Sequence, residues 1–427
     1  MHHLSNRATE QLSFDLQVEV AAAMGYKDTP ARRGVEIFMQ DYFRHATRVG
    51  DLTRIFLTSL EAVHAKDEPL LERIFKRKPK INEEYKVIHN RLAIRSEEKF
   101  LTNPINLLKL FSEALRTGLL IHPDAMRLVS ANLSLIDKNF RQSPEAQNIF
   151  LELLLKHGNP ERALRRMNEL GFLAKFIPEF EPIVAMMQFN MYHSYTVDEH
   201  TIQCLKTLAQ IEKGELVEEL PIASSILKTG VNRKVLYVAL LLHDIGKGRS
   251  DDHSILGAKV VRQVSPRLGL KKQETETVEW LVRYHLLMSD MAQKRDISDP
   301  RTVRDFAKAV QSVKRLDLLT VLTVCDVRSV GPDTWNNWKA TLIRQLYSET
   351  RLILEQGGEA LNSENRMVEA KKLLREKLFD WDPKDIKLEI GRHYPPYWQG
   401  FQIDTQFAFA NLLKNLGSDE IKIDLTP

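Results

Sequence analysis

Apolar residues recur at helical spacing over most of the chain, which predicts a mainly α-helical protein. In VEIFMQDYFRHATRV, apolar positions three or four residues apart alternate with charged ones, as in an amphipathic helix. Similar stripes predict helices around residues 105–116, 123–136 and 146–156. Between residues 85 and 95, YKVIHNRLAIR alternates loosely around a central His-Asn-Arg, which predicts a small hairpin.

A second helical block is expected from Asn159-Pro160-Glu161 to about Gly357. The Asn is a good helix cap, the Pro suits the first turn, and the acid lies near the positive helix end. After about residue 380, WDPKDIKLEIGRHYPPYWQGF has no helical stripe, and the final EIKIDLTP predicts a strand. Within the block, glycines and prolines predict breaks at Gly230, Gly246, Gly269, Pro300 and Gly331-Pro332.

The composition excludes several classes of protein. Hydrophobic residues make up 43% and charged residues 28%, which is an ordinary globular balance. The net charge of +4 is small and scattered, so no nucleic-acid surface is expected. No apolar run approaches the roughly 18 residues that a membrane span needs. The two cysteines exclude a disulfide scaffold and favour the reducing cytoplasm.

The candidate chemistry centres on His243-Asp244-Ile245-Gly246-Lys247. This motif follows the apolar run 235–242, which predicts a buried helix that ends in adjacent polar side chains. Imidazole and carboxylate groups both bind divalent metals, and a carboxylate can bridge two ions. The glycine suits a tight turn after the helix. The lysine would place a cation beside the metal, where a phosphate would bind.

Four further residues strengthen a metal-site interpretation. His200 is expected just inside an amphipathic helix, and Asp326 is expected to follow the apolar helix predicted in LDLLTVLTVCD. An unpaired buried carboxylate is costly, and a metal would offset that cost. His253 lies in DHSILGA, and His285 is expected on the apolar helix predicted in WLVRYHLLMS. Taken singly, either is more simply a satisfied core histidine, whereas together with the other residues they favour metal ligation.

Two residues just before His200 have weaker predicted roles. In YHSYTVDEH, Asp198 is expected to cap the helix, because Asp accepts amide hydrogen bonds at that position. His193 is a weak candidate for contact with substrate, and simple packing is the preferred explanation.

The order His200, His243-Asp244, Asp326 resembles the HD superfamily of metal-dependent phosphohydrolases. The added His253 and His285 resemble those HD subgroups that hold two metals. The likeness extends to bifunctional PII uridylyltransferase/uridylyl-removing enzymes and covers nearly the whole chain. The segments that carry it are YHSYTVDEHT, LLHDIGKGRSDDHSILGA, VEWLVRYHLLMS, LTVCDVRSVGPDTWNNWKATL, RATEQLSFDLQVEVAAAMGY and GRHYPPYWQGF.

The resemblance implies a helical bundle that leads into an all-helical HD domain. It places a helical region at residues 1–158, the phosphohydrolase domain at 159–380, and a linker at 381–427. The family's nucleotidyltransferase motif of Gly-Ser and paired acids is not found, and its ACT domains would begin about where this chain ends. Uridylyl transfer and ACT-based glutamine sensing are therefore not expected of these residues, and glutamine is expected as an effector of the full-length protein only.

The implied reaction is hydrolysis of the bond between UMP and a tyrosine of the PII signal protein, so uridylylated PII is the expected partner. His200, His243, Asp244 and Asp326 are implied ligands of a first metal. Asp244 would bridge to a second ion held by His253 and His285. Lys247 is implied in phosphate contact or in offsetting transition-state charge. Mn is the expected metal, and Fe, Zn or Mg are the other candidates.

Two alternatives remain open from the sequence. Another HD-type nucleotide phosphohydrolase or phosphodiesterase would keep the same ligands and differ in its pocket. A non-catalytic regulatory helical module would bind a protein or ligand without metal chemistry, although such a module would be expected to lose some of the six ligands.

Overall fold

The computed structural model describes residues 1–8, 10–64, 80–189, 195–332, 334–394, 397–398, 401–414 and 416. Most of these residues are helical, as the sequence predicts, and three short strands form one sheet. The chain divides into two compact units. The first comprises residues 1–306 and 314–347, and the second comprises residues 307–313 and 348–427.

The first half of the larger unit contains helices of 4 to 31 residues and a small three-stranded sheet. Strands β1 (Tyr85–Ile88) and β2 (Arg91–Ile94) pair antiparallel, and β2 pairs parallel with β3 (Leu120–Ile121). The predicted hairpin is therefore confirmed. The helices are α1 (His2–Ser5), α2 (Phe14–Ala23), α3 (Gly34–His64), α4 (Glu97–Leu101), α5 (Asn106–Thr117), α6 (Pro123–Ala131), α7 (Lys138–Gln142), α8 (Pro144–Leu155), α9 (Glu161–Glu169) and α10 (Phe172–Phe176).

The start of α9 lies one residue later than the predicted capping pattern. Pro160 is the cap residue and Glu161 begins the helix, while the Asn159 side-chain oxygen accepts a hydrogen bond from the Glu161 amide at 2.9 Å. Aromatic rings then fix this region against its neighbours. The rings of Phe111 and Phe172 lie 5.2 Å apart in an edge-on arrangement, a geometry that favours aromatic pairs.

The second half of the larger unit surrounds a helix that is buried over most of its length. Helix α13, which the apolar run predicts, is buried from Val235 to Leu242 and packs against α8, α11 and α15. The breaks predicted from glycine and proline are confirmed. The helices are α11 (Val197–Glu212), α12 (Pro221–Thr229), α13 (Arg233–Leu242), α14 (His253–Arg267), α15 (Lys272–Arg283), α16 (Leu287–Lys294), α17 (Pro300–Val310), α18 (Val313–Arg328) and α19 (Asn337–Lys377).

The smaller unit corrects two expectations about the end of the chain. Helix α19 continues through Gly357 to Lys377, and a helix α20 (Pro383–Gly391) forms where no helical stripe was expected. Asp382 caps α20 by accepting from the Lys384 amide, and Pro383 lies in the first turn, where its missing N–H would have no helical partner. Ile390 and a further helix, α21 (Ile403–Leu413), contribute to a small apolar core.

The strand predicted in EIKIDLTP lies outside the described residues. Among the described helices, none combines the length and the apolar character that crossing a membrane requires.

Candidate metal centre

Three histidines of the larger unit are held in one orientation by backbone carbonyls. His200, in the first turns of α11, lies with Nδ1 3.0 Å from the Ser329 carbonyl. His243 directly follows α13, and its Nδ1 lies 2.8 Å from the Leu240 carbonyl. His285 makes the same 2.8 Å contact to the carbonyl three residues before it. Since a carbonyl only accepts, each Nδ1 carries the proton and each Nε2 is left to bind a metal.

The local placement of two ligands differs from the expectation. His285 lies in the turn between α15 and α16 instead of on a helix. Asp326 lies within the last turn of α18 instead of after it. The apolar segments around both residues are helical, and sequence pattern alone does not distinguish a last helical turn from the turn that follows it.

A first group of donors forms where α11, α13 and α18 meet. His200 Nε2 lies 3.3 Å from His243 Nε2 and 3.0 Å from Asp326 Oδ1. Cys204 belongs to the same group, and its Sγ lies 3.6 Å from His200 Nε2. One potential ligand atom from each residue lies within 4.8 Å of all the others, which is close enough for a single ion.

A second group of donors comprises Asp244, His253 and His285. Asp244 faces both groups, because its Oδ2 lies 3.3 Å from His243 Nε2 while its Oδ1 lies 3.7 Å from His285 Nε2. His253 is the first residue of α14, and its buried Nε2 has no hydrogen-bond partner among the described residues. A buried nitrogen of this kind is costly unless something binds it, so the donor set fits a metal at this position.

The second group has protonation states that suit metal ligation. Burial lowers the pKa of His285 to about 4 and also lowers that of His253. Burial would raise the pKa of Asp244, but Lys247 and His243 outweigh it and hold that pKa well below its usual value. Near neutral pH, this group therefore offers neutral imidazoles and an ionised carboxylate.

The histidines of the first group, His200 and His243, have raised pKa values and so hold their protons more tightly than His253 and His285 do. Burial alone would lower the pKa of His243, yet Asp244 and Asp326 raise it to about 9. Burial would also lower the pKa of His200, and Cys204 and Asp326 raise it well above its usual value. These protons occupy the position that an ion would take, so metal binding here would release them.

The two donor groups open into a cleft of ≈ 190 Å³ that also carries cationic side chains. Lys247 Nζ lies 2.7 Å from Asp244 Oδ2 and donates to Gln188 Oε1 at 2.9 Å. Lys339 also lines the cleft, and its Nζ donates to the Thr334 carbonyl at 2.8 Å. The cleft therefore combines potential metal ligands with ammonium groups that suit a phosphate.

Close backbone packing explains the glycines near this site better than turn geometry does. Gly246 does not have the positive φ of a left-handed turn. A Cβ at this position would lie 2.0 Å from the His253 carbonyl oxygen, so no side chain fits between the two segments. Gly257 is similarly close to Val282 Cγ1, which a Cβ would approach to 2.9 Å.

The remaining predicted residues have other outcomes. His193 lies outside the described residues. Asp198 does not cap α11, since the residue at the cap is Thr196, and Asp198 instead accepts from the Asn168 side chain at 2.7 Å. Cys204 was not predicted, although its position one helical turn after His200 places it on the same helix face and could have indicated it.

Three families match successive parts of the chain. The family described as "GlnD PII-uridylyltransferase" matches residues 1–57, "Uridylyltransferase GlnD third domain" matches residues 85–176, and "HD domain" matches residues 197–322. Among solved structures, a CCA-adding enzyme with ATP aligns at a TM-score of 0.39 and 13% identity, over 78% of this chain and 65% of that one.

Curated relatives are similar over nearly the whole chain. Three are named "Bifunctional uridylyltransferase/uridylyl-removing enzyme". The relative from Ruegeria pomeroyi is 71% identical over 99% of this chain, and the one from Cereibacter sphaeroides is 66% identical over 99%. The relative from Azospirillum brasilense is 46% identical over 98%. The chain covers 47%, 46% and 45% of these relatives, so it spans about half their length. The chain belongs to the family of bifunctional uridylyltransferase/uridylyl-removing enzymes and contains that family's HD domain at residues 197–322.

Proposed function

We propose that this chain is a metal-dependent phosphodiester hydrolase that removes UMP from the uridylylated tyrosine of the PII nitrogen-signalling protein. The observation that carries the proposal is the position of Asp244, whose two oxygens face two separate groups of buried donors. The names of the similar proteins support the uridylyl-removing activity, and the family that matches residues 1–57 supports PII as the substrate.

The residues present fit two divalent ions that share one carboxylate. The first would be held by His200, His243, Asp244 and Asp326. The second would be held by Asp244, His253 and His285, and the buried Nε2 of His253 supports this position. A divalent metal bound there would act as a Lewis acid on the phosphoryl group. It would also lower the pKa of water towards neutral pH. The mixed imidazole and carboxylate donors favour Mn, with Fe, Zn or Mg as the other candidates.

Lys247 is proposed to contact the phosphoryl group. Its side chain is only 13% exposed, and its ammonium already lies against the shared carboxylate at 2.7 Å. A fixed cation at this depth stabilises nearby negative charge more strongly than a cation in water does, because the surroundings screen it less. It would offset negative charge on the phosphate as the tyrosine departs. A phenolate with a pKa of about 10 is a tolerable leaving group, so this site needs no strong acid to protonate it.

The direct test is incubation of the protein with uridylylated PII and Mn. We expect release of UMP, measured by chromatography, and a matching loss of mass from PII. Asp244→Ala should abolish both the reaction and metal binding while leaving the helical circular dichroism largely unchanged, because it removes the shared ligand.

Other phosphodiesters serve as the comparison in this test. Bis(p-nitrophenyl) phosphate and cyclic nucleotides at the same concentration should react more slowly than uridylylated PII. If the metal-loaded protein hydrolyses these compounds but leaves uridylylated PII intact, the assigned substrate is wrong. If Asp244→Ala keeps full activity and normal metal content, the assigned site is wrong.

A further inference from the structure

One wall of the metal cleft comes from the segment that joins α18 to α19. Val327, Val330 and Thr334 line the cleft on this side, and the wall continues directly from the proposed metal ligand Asp326. Lys339, in the first turn of α19, lines the cleft as well. The metal centre and the proposed reaction as described so far give this lysine no defined task.

Hydrogen bonds at both ends hold Lys339 in this wall. Its backbone amide donates at 3.0 Å to the side-chain oxygen of Asn336, the residue before α19. Its ammonium donates at 2.8 Å to the carbonyl of Thr334. The Thr334 amide in turn donates to the Gly331 carbonyl at 3.3 Å, which closes the turn. An ammonium has three donors, so the contact to Thr334 leaves others for a ligand in the cleft.

The two lysines of the cleft have different electrostatic surroundings. Lys247 Nζ lies 2.7 Å from Asp244 Oδ2, so its charge offsets that of the carboxylate. Lys339 is half-buried, and within the described part of the chain its ammonium contacts a neutral carbonyl and forms no ion pair. Divalent ions at the two donor groups would repel this ammonium, and an anion bound between them would remove the repulsion.

The proposed substrate supplies such an anion at its phosphoryl group. A phosphodiester carries one negative charge, and the charge on its oxygens rises as water attacks phosphorus. Cations that are already fixed where this charge develops stabilise the transition state, because they need no rearrangement during the reaction. Lys247 follows α13, whereas Lys339 belongs to α19, so the two ammonium groups reach the cleft from different elements.

We propose that Lys339 is a further catalytic residue, which contacts the phosphoryl oxygens of the substrate from the α19 side of the cleft. This inference deepens the proposed function and rests on it for the identity of the substrate. The phosphate contact itself does not depend on that identity, since any phosphate ester in the metal-loaded cleft would make it. Lys339 belongs to neither donor group, so its removal should leave the metal bound.

Binding of phenyl phosphate to the Mn-loaded protein tests the contact without requiring turnover. In calorimetry, Lys339→Gln should weaken binding at least about tenfold, because a charged donor to the phosphate is lost. The Mn content of the same samples, measured by mass spectrometry, should equal that of the wild type. Arg344→Gln is the matched control, since it removes one positive charge from an exposed position on the same helix and outside the cleft.

Hydrolysis of uridylylated PII then separates this inference from the proposed function. Lys339→Gln should lower kcat/KM at least about tenfold, whereas Arg344→Gln should match the wild type. If the wild type binds phenyl phosphate through Lys339 but releases no UMP, the proposed substrate is wrong and the phosphate contact stands. If the wild type releases UMP and Lys339→Gln is equally active, Lys339 is not a catalytic residue.

Three binding results would also overturn the inference. The first is the absence of saturable phenyl phosphate binding by the wild type, and the second is equal weakening in Lys339→Gln and Arg344→Gln. The third is loss of Mn from Lys339→Gln, which would assign the residue to metal retention. Circular dichroism and melting curves verify folding, and Lys339→Met, which keeps the aliphatic stem, replaces the Gln variant if that variant does not fold.

Discussion

At the scale of single residues, the buried carboxylate of Asp244 depends on the charged side chains next to it, including the adjacent His243. The residue is 2% exposed, and an isolated charge at that depth would cost several kcal/mol or more. Lys247 and the imidazole of His243, both close to Oδ2 of the carboxylate, compensate for that cost. Because its two oxygens face different donors, the residue can connect two ions, which an imidazole with one free ring nitrogen cannot do.

The second donor group gives a prediction about stoichiometry. His253→Ala and His285→Ala should each reduce bound metal from two ions to one per chain and reduce turnover, because the first donor group does not contain these histidines. Metal content by mass spectrometry and a melting curve are measured on the same samples. His157→Ala is the control, since His157 belongs to neither donor group and should leave the metal content unchanged. Unchanged metal content with a lowered melting temperature in the first two variants would identify them as core histidines.

At the scale of elements, the donors lie where helices begin and end. His200 lies in the first turns of α11, His253 begins α14, and His243 and His285 directly follow α13 and α15. Helix ends leave carbonyls without an internal partner, and two of the histidines use such carbonyls to fix their rings. The buried helix α13 thus determines the depth of the site, and the turns after the helices determine its geometry.

Helical periodicity and capping chemistry predicted much of this arrangement. The apolar run before His243 predicted a buried helix, and Asn159 predicted the start of the next helical block. Local pattern could not show that Asp198 bonds to Asn168, because that contact joins residues 30 positions apart. It also could not show why Gly246 is a glycine, since the close approach to His253 exists only after both segments have packed.

Gly246 and Gly50 give opposite predictions for the same substitution. Gly246→Ala should lower the free energy of unfolding by at least about 2 kcal/mol, because its Cβ would overlap the backbone of the helix that carries His253. Gly50→Ala, on the exposed side of α3 with no atom within 4 Å, should raise it by about 0.5–1 kcal/mol. Urea unfolding measures both values. Similar stability changes in the two variants would contradict the packing explanation.

At the scale of the whole molecule, the metal centre connects segments that are far apart in the chain. The six proposed ligands extend from His200 to Asp326 and come from helices and turns on several sides of α13. Such a set of donors is complete only in the folded larger unit, so metal binds the native state better than the unfolded chain. Binding free energy therefore adds to folding free energy.

This coupling predicts that metal stabilises the protein in a pH-dependent way. At a Mn concentration 100 times its dissociation constant, each site should add about 2.7 kcal/mol and raise the melting temperature by several degrees. In the metal-free protein, Asp244 and Asp326 outweigh burial and raise the pKa of His243 to about 9. Its proton therefore stabilises the metal-free fold at low pH, and that contribution is lost as the pH rises through about 9.

Since Mn must displace this proton, the metal-induced rise in melting temperature should be larger at pH 8.5 than at pH 6. Scanning calorimetry with and without Mn at the two pH values measures the difference. Asp244→Ala removes the shared ligand and should show little rise at either pH, which separates binding at this centre from weak binding elsewhere. An equal rise at both pH values in the wild type would show that no ligand proton is released, and an equal rise in Asp244→Ala would place the stabilising metal at a different site.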